Sequence, residues 1–164
     1  MESRLTGRAY VARLTTSAFL SDPMFTQQIA MVLDSTRFDV VHFNNGMHGW
    51  QHSEAEYRRA FPGLLATLRK HAPKAKLIWA ATTPLLESAT AAPRSLTEAS
   101  NERVAARNAI ALEYVKAKNI HVDDLNALVQ GHPEYHSDGV HFNREGIAIQ
   151  AEQVVSQIEK ALPR

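Results

Sequence analysis

In the stretch HSDGVHFNREG, residues 136–146, a carboxylate and an imidazole stand three residues apart, Asp138 and His141, just before a helix begins at about Asn143. A carboxylate that close in sequence can hold the imidazole's Nδ1–H and leave Nε2 free to act as a base. The same spacing suits a plain helix-entry loop, in which Asp138 bonds backbone amides and His141 is incidental. Spacing alone does not choose between them. A second stretch, HFNNGMHGW over 42–50, offers Asn44, Asn45, Gly46 and His48 at the end of a strand. Side-chain amides and exposed backbone N–H groups can meet the negative charge that develops on a carbonyl oxygen during acyl transfer. They can equally form an ordinary turn, the asparagines bonding their own backbone and Gly46 taking a positive φ. Trp50 follows that turn and could line a pocket beside it, although a packing role is the plainer reading.

His132, His136, Asp138 and His141 together offer imidazoles and a carboxylate, a donor set that suits zinc. Their spacing matches no helical H-x-x-x-H carrier with a catalytic glutamate, so neither a metal nor another cofactor is expected. Ser17, in RLTTSAF, follows a predicted strand at its carboxyl end and is the best internal candidate for a nucleophile. Nothing around it resembles the strained turn that exposes a nucleophile, so a loop or cap serine is the simpler reading. Ser137, beside Asp138, is more simply structural.

The elements that must position these groups alternate short β-rich runs with longer helical periods, the pattern of an α/β domain with a parallel sheet. Strands are predicted at 8–14, 38–43, 76–84 and 119–122. A helix is predicted from Asp22 to Asp34 with Phe25, Ile29 and Val32 on one face. Another opens at Ser53 with Glu56 three residues on, a capping box, and carries Tyr57, Phe61, Leu65 and Leu68. Pro62 lies inside it and predicts a kink or break near Phe61. A loop from about Leu85 to Ser100 is long enough to suggest a role at a site. A helix over 101–118, a loop from the last strand to about Phe142, and a final helix capped by Asn143 complete the chain. Ile147, Val154, Ile158 and Leu162 recur along that last helix. Ligands of open parallel sheets bind beyond the carboxyl ends of the strands, which points to TTS, NNGMHGW, TTPLLES and the loop before His141.

In this order the two stretches resemble the SGNH (GDSL-like) hydrolases. FDVVHFNNGMHGW is similar to the family's third conserved block, a strand followed by Gly-x-Asn-Asp, and SDGVHFNREG to its fifth, Asp-x-x-His before the last helix. Gly46 takes the block's Gly, and His48 stands in place of its Asn. The oxyanion amide then falls to Asn44 or Asn45, or a ring nitrogen of His48 takes its part. The resemblance runs from about Arg8 to the C-terminus. It implies a single domain over 1–164 with a three-layer α/β/α fold and a parallel sheet in flavodoxin-like order. It further implies a serine esterase acting on small acyl esters, O-acetyl groups on carbohydrate among them, with Asp138 and His141 as its triad pair. Two other functions compete: an inactive relic that only binds, and a metal-dependent hydrolase on the histidine cluster.

The resemblance weakens at the front. Such a chain should open with a strand ending in Gly-Asp-Ser, whose serine is the nucleophile. Here ESRLTGRAYV resembles the tail of the following helix running into the second strand, and the first strand has no counterpart. That strand is central in the family, between those equivalent to 8–14 and 38–44. Each buried backbone group left unpaired costs about 1–3 kcal/mol, against a total stability of roughly 5–15 kcal/mol. The expectation is therefore that 8–14 pairs directly with 38–44, or that a second copy of the chain lends a strand to the open edge.

Composition agrees with one soluble globular domain: 164 residues, 45% hydrophobic and 21% charged. A net charge of +1 without a basic run argues against nucleic acid as a partner. No apolar stretch approaches a membrane span, and the N-terminus has no signal-peptide pattern, which leaves the cytoplasm as the default expectation. With no cysteine, a thiol nucleophile and thiolate metal ligands are excluded.

Overall fold

The computed structural model describes residues 4–86 and 98–163. Most of the long loop expected before Ser100, with its suggested role at a site, lies outside the described residues. Helix α1 (Pro23–Asp34) starts where the Asp22 side chain accepts the Met24 N–H and Pro23 supplies a pre-set φ. Its buried stripe is Phe25, Ile29 and Leu33, the last in place of the expected Val32. Strand β1 (Val40–Phe43) pairs in parallel with β2 (Lys76–Ala80), and β2 with β3 (His121–Asp123), giving the order β1-β2-β3. The capping box at α2 (Glu54–His71) forms as predicted, with both Ser53–Glu56 bonds made. Helix α3 spans Asn101–Ala117 and α5 spans Arg144–Ala161, the latter capped by Asn143.

Alternation along the strands sorts the layers. Val41, Phe43, Leu77 and Trp79 face a core shared with α1, α2 and α3. Helix α5 packs on the other side, where its Gln153 reaches Asp123 of β3. The result is the expected α/β fold, a parallel sheet with helices on both faces.

Four expectations are corrected. Helix α2 runs unbroken through Pro62. Proline removes the N–H that would bond Arg58 O, and the Tyr114 hydroxyl of α3 donates to that carbonyl instead, at 3.3 Å. The segment between β3 and Phe142 is not all loop. It holds α4 (Leu125–Val129), capped by Asp124 accepting Ala127 N–H at 3.0 Å, and a 3-10 turn at Pro133–Tyr135. On α5, Ile147 is 58% exposed rather than part of a buried stripe.

The fourth correction concerns 8–14, which forms no strand and does not pair with β1. A cavity of about 340 Å³ separates β1 from residues 12–16, floored by Phe25, Ile29, Leu64 and Leu68. The segment is held away at both ends. Leu5 is buried and closes a turn onto Arg8 and Ala9, while Arg4 and Arg8 pair with Glu152 and Glu159 of α5. At the other end Ala18 O accepts the Asn45 amide, and Phe19 stacks on His52.

Candidate active site

Asp138 and His141 meet. His141 Nδ1 donates to Asp138 Oδ2 at 2.8 Å. Asp138 Oδ1 also accepts the backbone N–H groups of Val140 and His141, each at 2.8 Å, so the carboxylate shapes the helix-entry loop as well as the imidazole. These two backbone bonds, then the His141 side chain, hold its carboxyl down to about pH 2. The side chains are 54% and 75% exposed, which screens the attraction between them.

The loop carrying this pair is docked from three directions. His136 and Phe142 form an antiparallel bridge, and their rings pack at 4.4 Å. Leu86 N–H donates to Gly139 O at 3.0 Å, and His136 Nε2 to Pro84 O at 3.3 Å, which ties the loop to the chain leaving β2. Asn143 caps α5 through Glu145 and Gly146 while its amide holds Glu134 O. The pair therefore lies beyond the carboxyl ends of the strands, where open parallel sheets place ligands.

The second stretch leaves β1 at the same edge. Asn44 Nδ2 donates to Ala80 O at 2.7 Å and to Thr82 Oγ1 at 2.9 Å, bracing the end of β1 against the end of β2. The buried Asn45 Nδ2 donates to Ala18 O at 3.0 Å, and its Oδ1 has no partner among the described residues. Both amides thus hold backbone. Gly46 is needed for close approach, not for a positive φ: a Cβ there would stand 2.0 Å from Thr82 Oγ1. Gly49 is the residue with positive φ, at 73°, against the Phe19 ring. His48 is exposed on one side, but the protein packed around the rest of its ring desolvates the imidazolium and lowers its pKa. Trp50 packs, the plainer of its two readings: it is 2% exposed and lies 4.2 Å beneath the Arg107 guanidinium.

Ser17 is exposed and makes no hydrogen bond among the described residues. The histidine cluster does not converge. His132 pairs with Glu134 at 2.8 Å, His136 turns to Pro84, and among the described residues no three metal-ligating side chains come together.

Sequence reasoning missed several supports. Thr82 is a hub: its N–H donates to Asn108 Oδ1 and its carbonyl accepts the amides of Asn108 and Asn126. A second histidine–carboxylate pair joins His42 Nε2 to the fully buried Asp123 at 2.9 Å, with Gln153 donating to the other oxygen. These partners are 81 and 30 residues apart, so no local spacing could reveal them.

The chain matches the model of the GDSL-like Lipase/Acylhydrolase family over residues 4–149. No curated protein is similar to it in sequence. Among solved structures it is similar to a GDSL-like lipase from Bacteroides thetaiotaomicron, with 22% identity and a TM-score of 0.71 over 98% of this chain and 80% of that one. An aryl esterase from M. smegmatis gives 12% identity and a TM-score of 0.73, over 93% and 78%. A lipase/acylhydrolase from Enterococcus faecalis gives 21% and 0.63, over 90% and 73%. At these identities the structures bear on the fold alone, but the family model spans most of the chain. The chain belongs to the GDSL-like lipase/acylhydrolase family.

Proposed function

We propose that the domain is an SGNH-type ester hydrolase in which His141 moves the proton and Asp138 orients it. The observation carrying this is the 2.8 Å bond from His141 Nδ1 to Asp138, which fixes the tautomer that leaves Nε2 as the base. Nε2 takes a proton from the attacking hydroxyl or water and returns it to the departing alcohol. Asp138 stays ionised and stabilises the imidazolium between the two transfers. The substrate class is a small acyl ester, O-acetyl groups on carbohydrate included. The oxyanion falls to the His48 ring, the second N–H of the Asn45 amide and the neighbouring backbone N–H groups, because Asn44 spends both its amide hydrogens on Ala80 O and Thr82 Oγ1, while Asn45 spends one on Ala18 O.

Ser17 is the candidate nucleophile within the described residues, but its hydroxyl has no hydrogen bond to His141, so no proton path activates it as it stands. That observation favours a second reading, a domain that binds the ester and turns it over poorly. Hydrolysis of a short-chain aryl acetate separates the two. Robust turnover that disappears in Ser17→Ala and survives Ser137→Ala supports the esterase with Ser17 as nucleophile. Slow turnover that is indifferent to Ser17 supports the second. Among the described residues the outer edge of β1 pairs with no strand, which also suits a second copy of the chain, and a dimer in sedimentation equilibrium would support that arrangement.

A further inference from the structure

We infer that Arg107 is a positioning residue for the oxyanion: it holds the carbonyls of 46–52 inward and so leaves the Gly46, Met47 and His48 N–H groups to face the substrate. This rests on the ester-hydrolase reading above. Arg107 lies on α3 and its side chain is wholly buried. Its Nη1 donates to Gly46 O at 3.1 Å and His48 O at 2.8 Å, and its Nη2 to Gly49 O at 2.9 Å and His52 O at 3.1 Å. One turn earlier, Arg103 holds Trp50 O at 2.7 Å and His52 O at 2.6 Å. The Tyr57 hydroxyl holds Asn45 O at 2.8 Å. Successive carbonyls of this loop are therefore drawn toward α2 and α3.

A hydrogen-bonded turn pairs its first carbonyl with its own fourth N–H. Here only Gly49 O does so, with the His52 N–H at 3.1 Å. Among the described residues the N–H groups of Gly46, Met47 and His48 donate to no protein acceptor, and all three residues line the cavity beside β1. Burying a guanidinium is costly unless its donors are satisfied, and filling the same space with apolar side chains would be cheaper. What the guanidinium adds is a rigid planar fork that reaches diverging carbonyls, which a lysine ammonium cannot copy. Glu54 stands 3.4 Å from Nε without hydrogen-bond geometry, so the carboxylate balances the charge while the fork serves the loop. The Trp50 ring packs against the guanidinium, 4.2 Å from the ring centroid to Cζ.

The test titrates ¹⁵N-labelled protein with acetate, whose carboxylate oxygen stands in for the oxyanion, and records aryl acetate hydrolysis on the same samples. The Gly46, Met47 and His48 amide signals should shift saturably in the wild type. Arg107→Lys should weaken that binding at least tenfold and lower kcat by a similar factor with KM within twofold, in protein whose circular dichroism is unchanged. Wild-type amides that do not respond to acetate overturn the inference even where Arg107→Lys fails to fold. A folded Arg107→Lys with unchanged acetate affinity and kcat overturns it too. Arg107-dependent acetate binding without any ester hydrolysis supports the inference and sinks the hydrolase reading instead.

Discussion

Replacing Gly46 with alanine tests how tightly the end of β1 is seated on the end of β2. The added Cβ would stand 2.0 Å from Thr82 Oγ1, 3.0 Å from its Cβ and 3.3 Å from its Cγ2. Rotating the threonine cannot clear all three atoms. Nor can its backbone yield, since Asn108 and Asn126 hold its N–H and carbonyl at 2.7–2.8 Å. Gly46 has no positive φ, so the cost is contact alone. Overpacking at a fixed site costs about 1–3 kcal/mol, and the absence of slack puts Gly46→Ala near the top of that range. Thr82→Ala alone should cost about 1 kcal/mol, mainly the bond from Asn44. With the hydroxyl gone the 2.0 Å clash disappears, so the double variant should recover roughly 1–2 kcal/mol relative to additivity. Urea denaturation followed by the fluorescence of the buried Trp50 and Trp79 measures each corner of the cycle. A Gly46→Ala cost below about 0.5 kcal/mol, or strict additivity, would refute the contact as the reason for glycine.

Further outcomes follow from the same geometry. Pro62→Ala restores the N–H to Arg58 O and should stabilise the domain by about 1 kcal/mol; Tyr114→Phe should then cost about 0.5–1 kcal/mol in the wild type and almost nothing beside Pro62→Ala, as thermal melts would show. Ser53→Ala breaks the capping box and should cost about 1 kcal/mol in the same melts. The Asp138 carboxyl, with an ordinary pKa of 3.8, is held down to about 2 in the folded state. Its contribution to stability is therefore complete above pH 3.8 and lost as pH falls through 2. Wild type and Asp138→Asn should differ in melting temperature at pH 5 and converge toward pH 2, and a gap that widens on acidification would contradict that sign.

Legibility in the sequence followed the range of the interaction. The caps at Ser53 and Asn143 and the Asp138–His141 pair depend on partners within a few residues, and each formed where spacing placed it; β1 and β2 pair with each other across 36 residues but are legible in their own β-rich runs. Pro62 misled because its missing donor is replaced by Tyr114, 52 residues further on. Residues 8–14 misled because β propensity is a statement about packing neighbours, and ion pairs to α5 hold this segment where it has none. Asn44 and Asn45 read as free amides because no local pattern reveals acceptors at Ala80 and Ala18. The packing role of Trp50 is legible as its plainer reading, but the identity of its cover, Arg107, is not, because that residue comes from a helix with no sequence cue pointing back to it.

The central claim is that His141, oriented by Asp138, is the proton-transferring group of an acyl hydrolase. Its most direct test is the rate of aryl acetate hydrolysis by the wild type, His141→Ala and Asp138→Asn at neutral pH. General base catalysis contributes about 10²–10⁴-fold, so even a slow wild-type rate should fall by about a hundredfold or more in His141→Ala. Asp138→Asn should lower it as well, since the imidazole loses the acceptor that sets its tautomer. A folded His141→Ala protein that hydrolyses the ester as fast as the wild type would contradict the claim.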